Sequence, residues 1–318
     1  MLGWLSGLPL TLFGLTLLLL GVFPVVTSNL SATVSLAPGF GVLAVNLMLA
    51  ILVREKIRHN LPLLVFHIAL LLIMLSVVVS RLTYFKGWAI MSENETLRQS
   101  TGIINQGPWH RSKLNSMPVL QQSFLAYFDE EGRRLDTESW LQPFDAKEAI
   151  LITNKKTADV AGYQFTISNN LGFSVDLTWI SIQGDIIRGL LQMPSQISQP
   201  ETQGRKLILP DITDDIWLGL EIESARKSFF YPYFSIPDHF YFTVVVGSES
   251  QQLKLGESID LFGGTLILNN IVPWIGYEMY YDPAIYFLLI ASIIAVIALG
   301  YFLNQRLGDS HWIQENEQ

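Results

Sequence analysis

His67 is the residue whose surroundings most demand a chemical explanation. It stands in LPLLVFHIALLLIMLSVVVSRL, a run from Leu61 to Leu82 that only His67 and the terminal Arg81 interrupt. On a helix it lies about six residues, roughly 9 Å, inside the end of that run. An ionisable group at such a depth in hydrocarbon costs free energy unless it has a partner, so it tends to face a bundle interior and to be functional. Neutral imidazole is the usual axial ligand of haem iron, and it is equally a hydrogen-bonding group for a neighbouring helix. The residue types leave both readings open. Met74, Val78 and Arg81 follow on the same helical face at +7, +11 and +14. Arg81 is a cation that can meet a haem propionate or snorkel to the interface.

The remaining chemistry is sparse. His59 lies in the basic segment REKIRHN and His311 near the C-terminus, where solvation is the expectation. His110 in NQGPWHRS and His239 in SIPDHFYF each stand beside an aromatic, so a transient haem contact is weighed against an ordinary loop histidine. No second intramembrane histidine accompanies His67, so a bis-histidine haem would need a ligand from another protein or a second copy. Cysteine is absent, which excludes disulfides, thiol nucleophiles, thiolate metal sites and covalent CxxCH haem attachment. No Gly-rich phosphate loop, HExxH or GxSxG is present. The pairs Asp214–Asp215 and Glu130–Glu131 read as solvated turns, and Trp88, Trp109, Trp140, Trp179, Trp217 and Trp274 mostly as core.

The elements that must position these groups follow from composition. Half of the 318 residues are apolar and 15% are charged, against roughly 25% charged in an ordinary soluble domain; mean hydropathy is +0.34. Four apolar runs, at about 8–26, 36–53, 61–82 and 283–303, are long enough to cross some 30 Å of hydrocarbon. The first reads as a retained helix rather than a signal peptide, because no Lys or Arg precedes it and no small-residue cleavage site is evident. Trp4, Tyr280, Tyr281 and Tyr286 fit interfacial aromatic belts. Arg54, Lys56 and Arg58 between the second and third spans, and Arg306 after the fourth, place both termini in the cytoplasm of an inner-membrane protein, with residues 84–282 outside.

Three regions result: residues 1–83 with three transmembrane helices, an exported domain over 84–282, and 283–318 with the fourth helix and a cytoplasmic tail. From Tyr84 to Pro283 there are 15 Lys and Arg against 24 Asp and Glu, a net charge of −9. Segments such as FSVDLTWISI from Phe173, FYFTVVV from Phe240 and GGTLILNNIV from Gly263 are rich in β-branched and aromatic residues and punctuated by Gly, Asn and Asp. The expected fold is four transmembrane α-helices with a mainly β exported domain, a sandwich or partly open barrel. The overall charge of −8 argues against nucleic acid as a partner.

In three places the chain resembles the ResB-like proteins of System II cytochrome c biogenesis. They are LLVFHIALLLIMLS with the following RLTYFKGWAIMSENET, the run from LKLGESIDLFGG through the Asp282-Pro283 pair into the last span, and the tail RLGDSHWI. The resemblance implies a haem-handling component that works with a CcsA-type polytopic partner and presents reduced haem to apocytochrome c. In that family's pattern the third-span histidine, here His67, ligates a non-covalent b-type haem, and the partner supplies the other ligand. The chain would be an assembly factor, not an enzyme in its own right. The competing expectation is an accessory anchor of a membrane redox complex that docks a cytochrome, since an acidic face suits a basic electron carrier.

Overall fold

A computed structural model describes residues 8–27, 32–97, 101–111, 119–196, 204–210, 212, 215–223 and 230–315. The chain divides into two compact units. One comprises residues 1–84, 106–110 and 282–318, and the other residues 85–105 and 111–281.

The first unit is helical. Helix α1 spans Leu8–Thr27, α2 Ala32–Val53, the short α3 Glu55–Arg58, α4 Leu61–Thr83 and α5 Ile285–Glu315. Helix α4 starts where Asn60 accepts a hydrogen bond from the Leu63 amide at 3.2 Å, with Pro62 in the first turn. There a missing N–H leaves no bond unmade and a side-chain acceptor serves an orphan donor. Helices α1 and α2 pack together, as do α4 and α5. The α4–α5 pairing uses small residues: Ala69 and Ser76 on α4 and Ala284, Ala291 and Ala295 on α5 are buried, which lets the two backbones approach closely.

Three segments are long and apolar enough to cross a membrane, Ser35–Val53, Leu61–Thr83 and Ile285–Leu307. Among the described residues these three helices support a membrane protein, and of the four expected spans the first does not reach that length. The apolar stretch of α1, Leu8–Pro24, is shorter. Helix α2 begins ahead of the anticipated Leu36, so Pro38 sits inside it. Helix α5 continues to Glu315 through the stretch expected to form a tail.

The second unit is antiparallel β-structure. Its strands are β1 (Phe85–Ser92), β2 (Thr101–Gln106), β3 (Val119–Phe128), β4 (Arg134–Pro143), β5 (Ile150–Thr153), β6 (Ala158–Val160), β7 (Tyr163–Ser181), β8 (Ile186–Gln192), β9 (Gly204–Leu207), β10 (Ile216–Ile222), β11 (Phe240–Val246), β12 (Glu249–Leu253), β13 (Ser258–Leu261) and β14 (Gly264–Tyr281). The largest sheet runs β2-β1-β14-β7-β6, with β8 beside β7 and β13 beside β14; two more have the orders β12-β11-β10-β9 and β3-β4-β5. Among the described residues the mainly β domain forms three antiparallel sheets, none closed into a barrel, sharing one hydrophobic core.

Alternation places the side chains. In β1, Phe85, Ala89 and Met91 are buried while Lys86 and Trp88 are exposed. The stretch Leu171–Leu177 of β7 is buried on both faces, although Ser174 and Asp176 alternate with its apolar residues. Strands β1 and β14 pair from Phe85↔Tyr281 to Ser92↔Trp274. An aromatic segment fills the core beside them: the Phe234 ring stacks on Phe173 at 4.7 Å between centroids and lies 5.4 Å from Phe230.

Candidate functional site

His67 is on the second turn of α4, half-buried, with the edge of the Phe66 ring against it at 5.6 Å between centroids. Its Nδ1 lies 2.7 Å from the carbonyl oxygen of Leu63, one turn earlier. A carbonyl only accepts, so Nδ1 carries the proton and donates it, and Nε2 keeps its lone pair. This tautomer suits an axial ligand: one ring nitrogen anchored by a backbone acceptor fixes the orientation of the ring and leaves the other basic. The single donor set fits a haem iron needing one protein ligand from this chain.

The face on which His67 stands is also defined. At 100° per residue, Ala69, Ser76 and Ser80, the α4 residues turned toward α5, lie about 180–220° around the helix from His67. The imidazole is therefore directed away from the α4–α5 contact. Met74 is half-buried, and Val78 and Arg81 are exposed. The Arg81 guanidinium lies 6.0 Å from the centroid of the Tyr84 ring, some 21 Å along the axis from His67 at 1.5 Å per residue.

The other histidines have separate settings. The Nδ1 of His110 is 3.0 Å from the carbonyl of Thr83, the last residue of α4. The Gly107 and Trp109 amides donate to Tyr84 and Leu82 at 2.8 Å each. Residues 107–110 thus close the C-terminus of α4, where unpaired carbonyls and the negative end of the helix dipole favour donors. Gly107 is required in that wrap, since a Cβ there would run into the Leu82 carbonyl. His59 Nδ1 lies 2.9 Å from the Glu55 carbonyl on an exposed helix end, and His239 is exposed in the β unit. The His311 side chain, Trp4 and Asp214 fall outside the described residues. Asp215 pairs with Lys206, and Glu131 with Arg133. Among the described residues no three His, Cys, Asp or Glu gather as a metal site.

Two polar contacts within the helical unit have no forewarning in the sequence. Asn46 of α2, buried, donates its amide to the Thr11 hydroxyl of α1 at 2.6 Å, and its Oδ1 is buried without a partner. Ser80 of α4 donates to Asp282, which caps α5. An amide or hydroxyl within a long apolar run is the signal available for both, and it does not name the partner.

The β unit holds a buried polar centre as well. The Tyr277 hydroxyl lies 2.5 Å from both the Ser139 hydroxyl and the Gln121 side-chain oxygen, and burial raises its pKa well above that of free tyrosine. Nearby, the Arg134 guanidinium donates to the Ser168 carbonyl at 2.8 Å, and burial pulls its pKa down to about 10. Trp179 and Trp274 are core residues, Trp140 is half-buried, and Trp88, Trp109 and Trp217 are exposed.

No family model matches the chain, and no curated protein matches it. Among solved structures it matches one described as "Cytochrome c Heme Lyase CcmF", at a TM-score of 0.30 and 12% identity, over 93% of this chain and 34% of that one. The chain spans about a third of that protein's length. A likeness of this degree carries no functional weight.

Proposed function

We propose that this chain is a membrane component of a System II-type cytochrome c maturation complex, in which His67 is an axial ligand of a non-covalent b-type haem. The observation that carries the reading is the Nδ1 bond of His67 to the Leu63 carbonyl, which leaves a basic Nε2 on a membrane-helix face turned away from α5. A CcsA-type polytopic protein against that face supplies the second ligand, which accounts for a single histidine in the apolar helices.

In this scheme α1 is the fourth span, both termini are cytoplasmic, and the β unit lies outside the cell membrane and receives apocytochrome c. When bound, the haem supplies the vinyl groups to which the apocytochrome thiols add. The residues of this chain hold and orient it: the Leu63 carbonyl fixes the imidazole, and the apolar flanks of His67 exclude water. The chain contributes no thiol and acts as an assembly factor rather than as an enzyme.

The test is an absorption spectrum of the chain co-purified with its polytopic partner. A b-type Soret band is expected, weakened in His67→Ala and restored by free imidazole; an unchanged spectrum in the variant overturns the assignment. The acidic β unit favours a second reading, an accessory anchor that docks a basic cytochrome. Cytochromes c that mature normally after deletion of the gene, with loss of one respiratory activity, would establish that reading instead.

A further inference from the structure

One cleft in the β unit has the make-up of a receptor for a basic side chain. It has a volume of about 510 Å³ and crosses the largest sheet, from Arg188 and Leu190 on β8, past Asp176 on β7 and Val272 on β14, to Glu93 just beyond β1, with Ile236 on its wall. Its charges do not cancel. The Asp176 carboxylate accepts Arg188 Nε at 3.0 Å and Nη2 at 2.5 Å, so those two neutralise one another. Glu93 has no such partner: its Oε1 accepts the Phe124 amide at 3.3 Å, and among the described residues no Lys or Arg pairs with it. Among the described residues, one carboxylate of the cleft is therefore without a basic partner, and it is half withdrawn from water. Burial raises its pKa, against a smaller lowering by the Phe124 amide.

The neighbouring surface is apolar. Leu190, Ile236 and Val272 line the same cleft and suit the methylene stem of a lysine or arginine whose cationic end reaches Glu93, since such side chains bury the stem and present the charge at its tip. A net charge of −9 over residues 84–283 steers a cationic chain toward this unit.

We propose that this cleft binds a basic side chain of a partner polypeptide, with its cation on Glu93 and its stem against Leu190, Ile236 and Val272. The site is independent of haem ligation at His67 and stands without it.

The test uses the full chain in lipid nanodiscs and calorimetric titration at low salt with two peptides, acetyl-Gly-Gly-Lys-Gly-Gly-amide and its norleucine analogue. The lysine peptide is expected to bind at least about tenfold more tightly than the norleucine one, as an ion pair in a partly desolvated site requires. Glu93→Gln keeps an acceptor for the Phe124 amide and is expected to abolish that preference, while Glu249→Gln on the exposed β12 retains it. Equal binding of the two peptides by the unaltered chain overturns the proposal, and so does an undiminished preference in Glu93→Gln. Self-association of the chain lost in Glu93→Gln, with no lysine preference, overturns it in favour of a second copy as occupant. A Soret band retained in Glu93→Gln separates failure at this cleft from failure of the haem reading.

Discussion

The Ser80 hydroxyl donates to Oδ2 of Asp282 at 2.7 Å, while Oδ1 of the same carboxylate accepts the Ala284 amide at 3.0 Å. One side chain therefore ends the link into α5 as a cap and ties that end to the last turn of α4. Losing a cap costs typically about 1 kcal/mol, and a lost hydrogen bond to a charged group about 1.5–3 kcal/mol. Asp282→Ala is expected to lower the thermal midpoint of the purified protein more than Ser80→Ala does. In a double-mutant cycle the two changes should be non-additive, with Ser80→Ala costing little once Asp282→Ala is made. Additive losses would show that the bond contributes nothing.

The tautomer of His67 can be read without any haem. Selective ¹⁵N labelling of the histidines and the one-bond N–H couplings should find Nδ1 protonated and Nε2 bare for the residue whose signals vanish in His67→Ala. A proton on Nε2 would contradict the bond to Leu63.

Two acidic groups beside the cleft should leave opposite signatures in the pH dependence of stability. Arg188 holds Asp176 below the usual carboxylate range, so this pair stabilises the folded state above the unfolded-state pKa of Asp176. That contribution is lost as pH falls through the folded-state value. Arg188→Gln should therefore be destabilising at neutral pH and progressively less so in acid. Glu93 behaves in reverse. Its raised pKa means that the folded state binds its proton more readily, so stability from this group grows as pH falls toward and through the folded-state value. Glu93→Gln should stabilise the β unit at pH 7 to 8, and the difference should vanish in acid. Denaturant titrations from pH 4 to pH 8 would record both trends. Parallel curves for wild type and Glu93→Gln would refute the second.

Tyr277 anchors the polar centre of the β unit. Tyr277→Phe leaves Ser139 and Gln121 buried with one partner fewer each, so a loss of about 1–3 kcal/mol is expected. Tyr241→Phe removes an exposed hydroxyl that bonds Glu221 at 3.0 Å and should cost well under 1 kcal/mol. Equal effects of the two changes on the unfolding midpoint would show that the buried hydroxyl is satisfied elsewhere.

Much of this architecture is legible in the chain itself, and the gaps have physical causes. FYFTVVV matches β11 because one face is buried and one is not. The segment from Phe173 reads as a strand of its own, yet it is the second half of the single β7, which begins at Tyr163. Opposite Gly276 the pairing jumps from Ile167 to Leu171, and the looped-out Ser168–Asn170 supply the turn-like residues that mimic a break. Likewise β14 runs straight through Pro273, whose carbonyl accepts the Glu93 amide. His67 stands out in the sequence because a lone ionisable residue in an apolar run needs an explanation. Asn46, Thr11 and Ser80 do not, since each is half of a bond whose other half is 35 or 202 residues away. The role of His110 at the end of α4 is invisible for the same reason.

The pairing of Phe85 with Tyr281 also makes the β unit topologically detachable. Partners in an antiparallel ladder have Cα atoms only about 4.5–5.5 Å apart, so the strand that begins the unit and the strand that ends it start and finish side by side. Residues 85–105 and 111–281 therefore have the form of a cassette whose outer ends are neighbours, while residues 106–110 stay with the helices as a second crossing. Exchange or excision of the cassette has to preserve that crossing, because residues 107–110 close the end of α4.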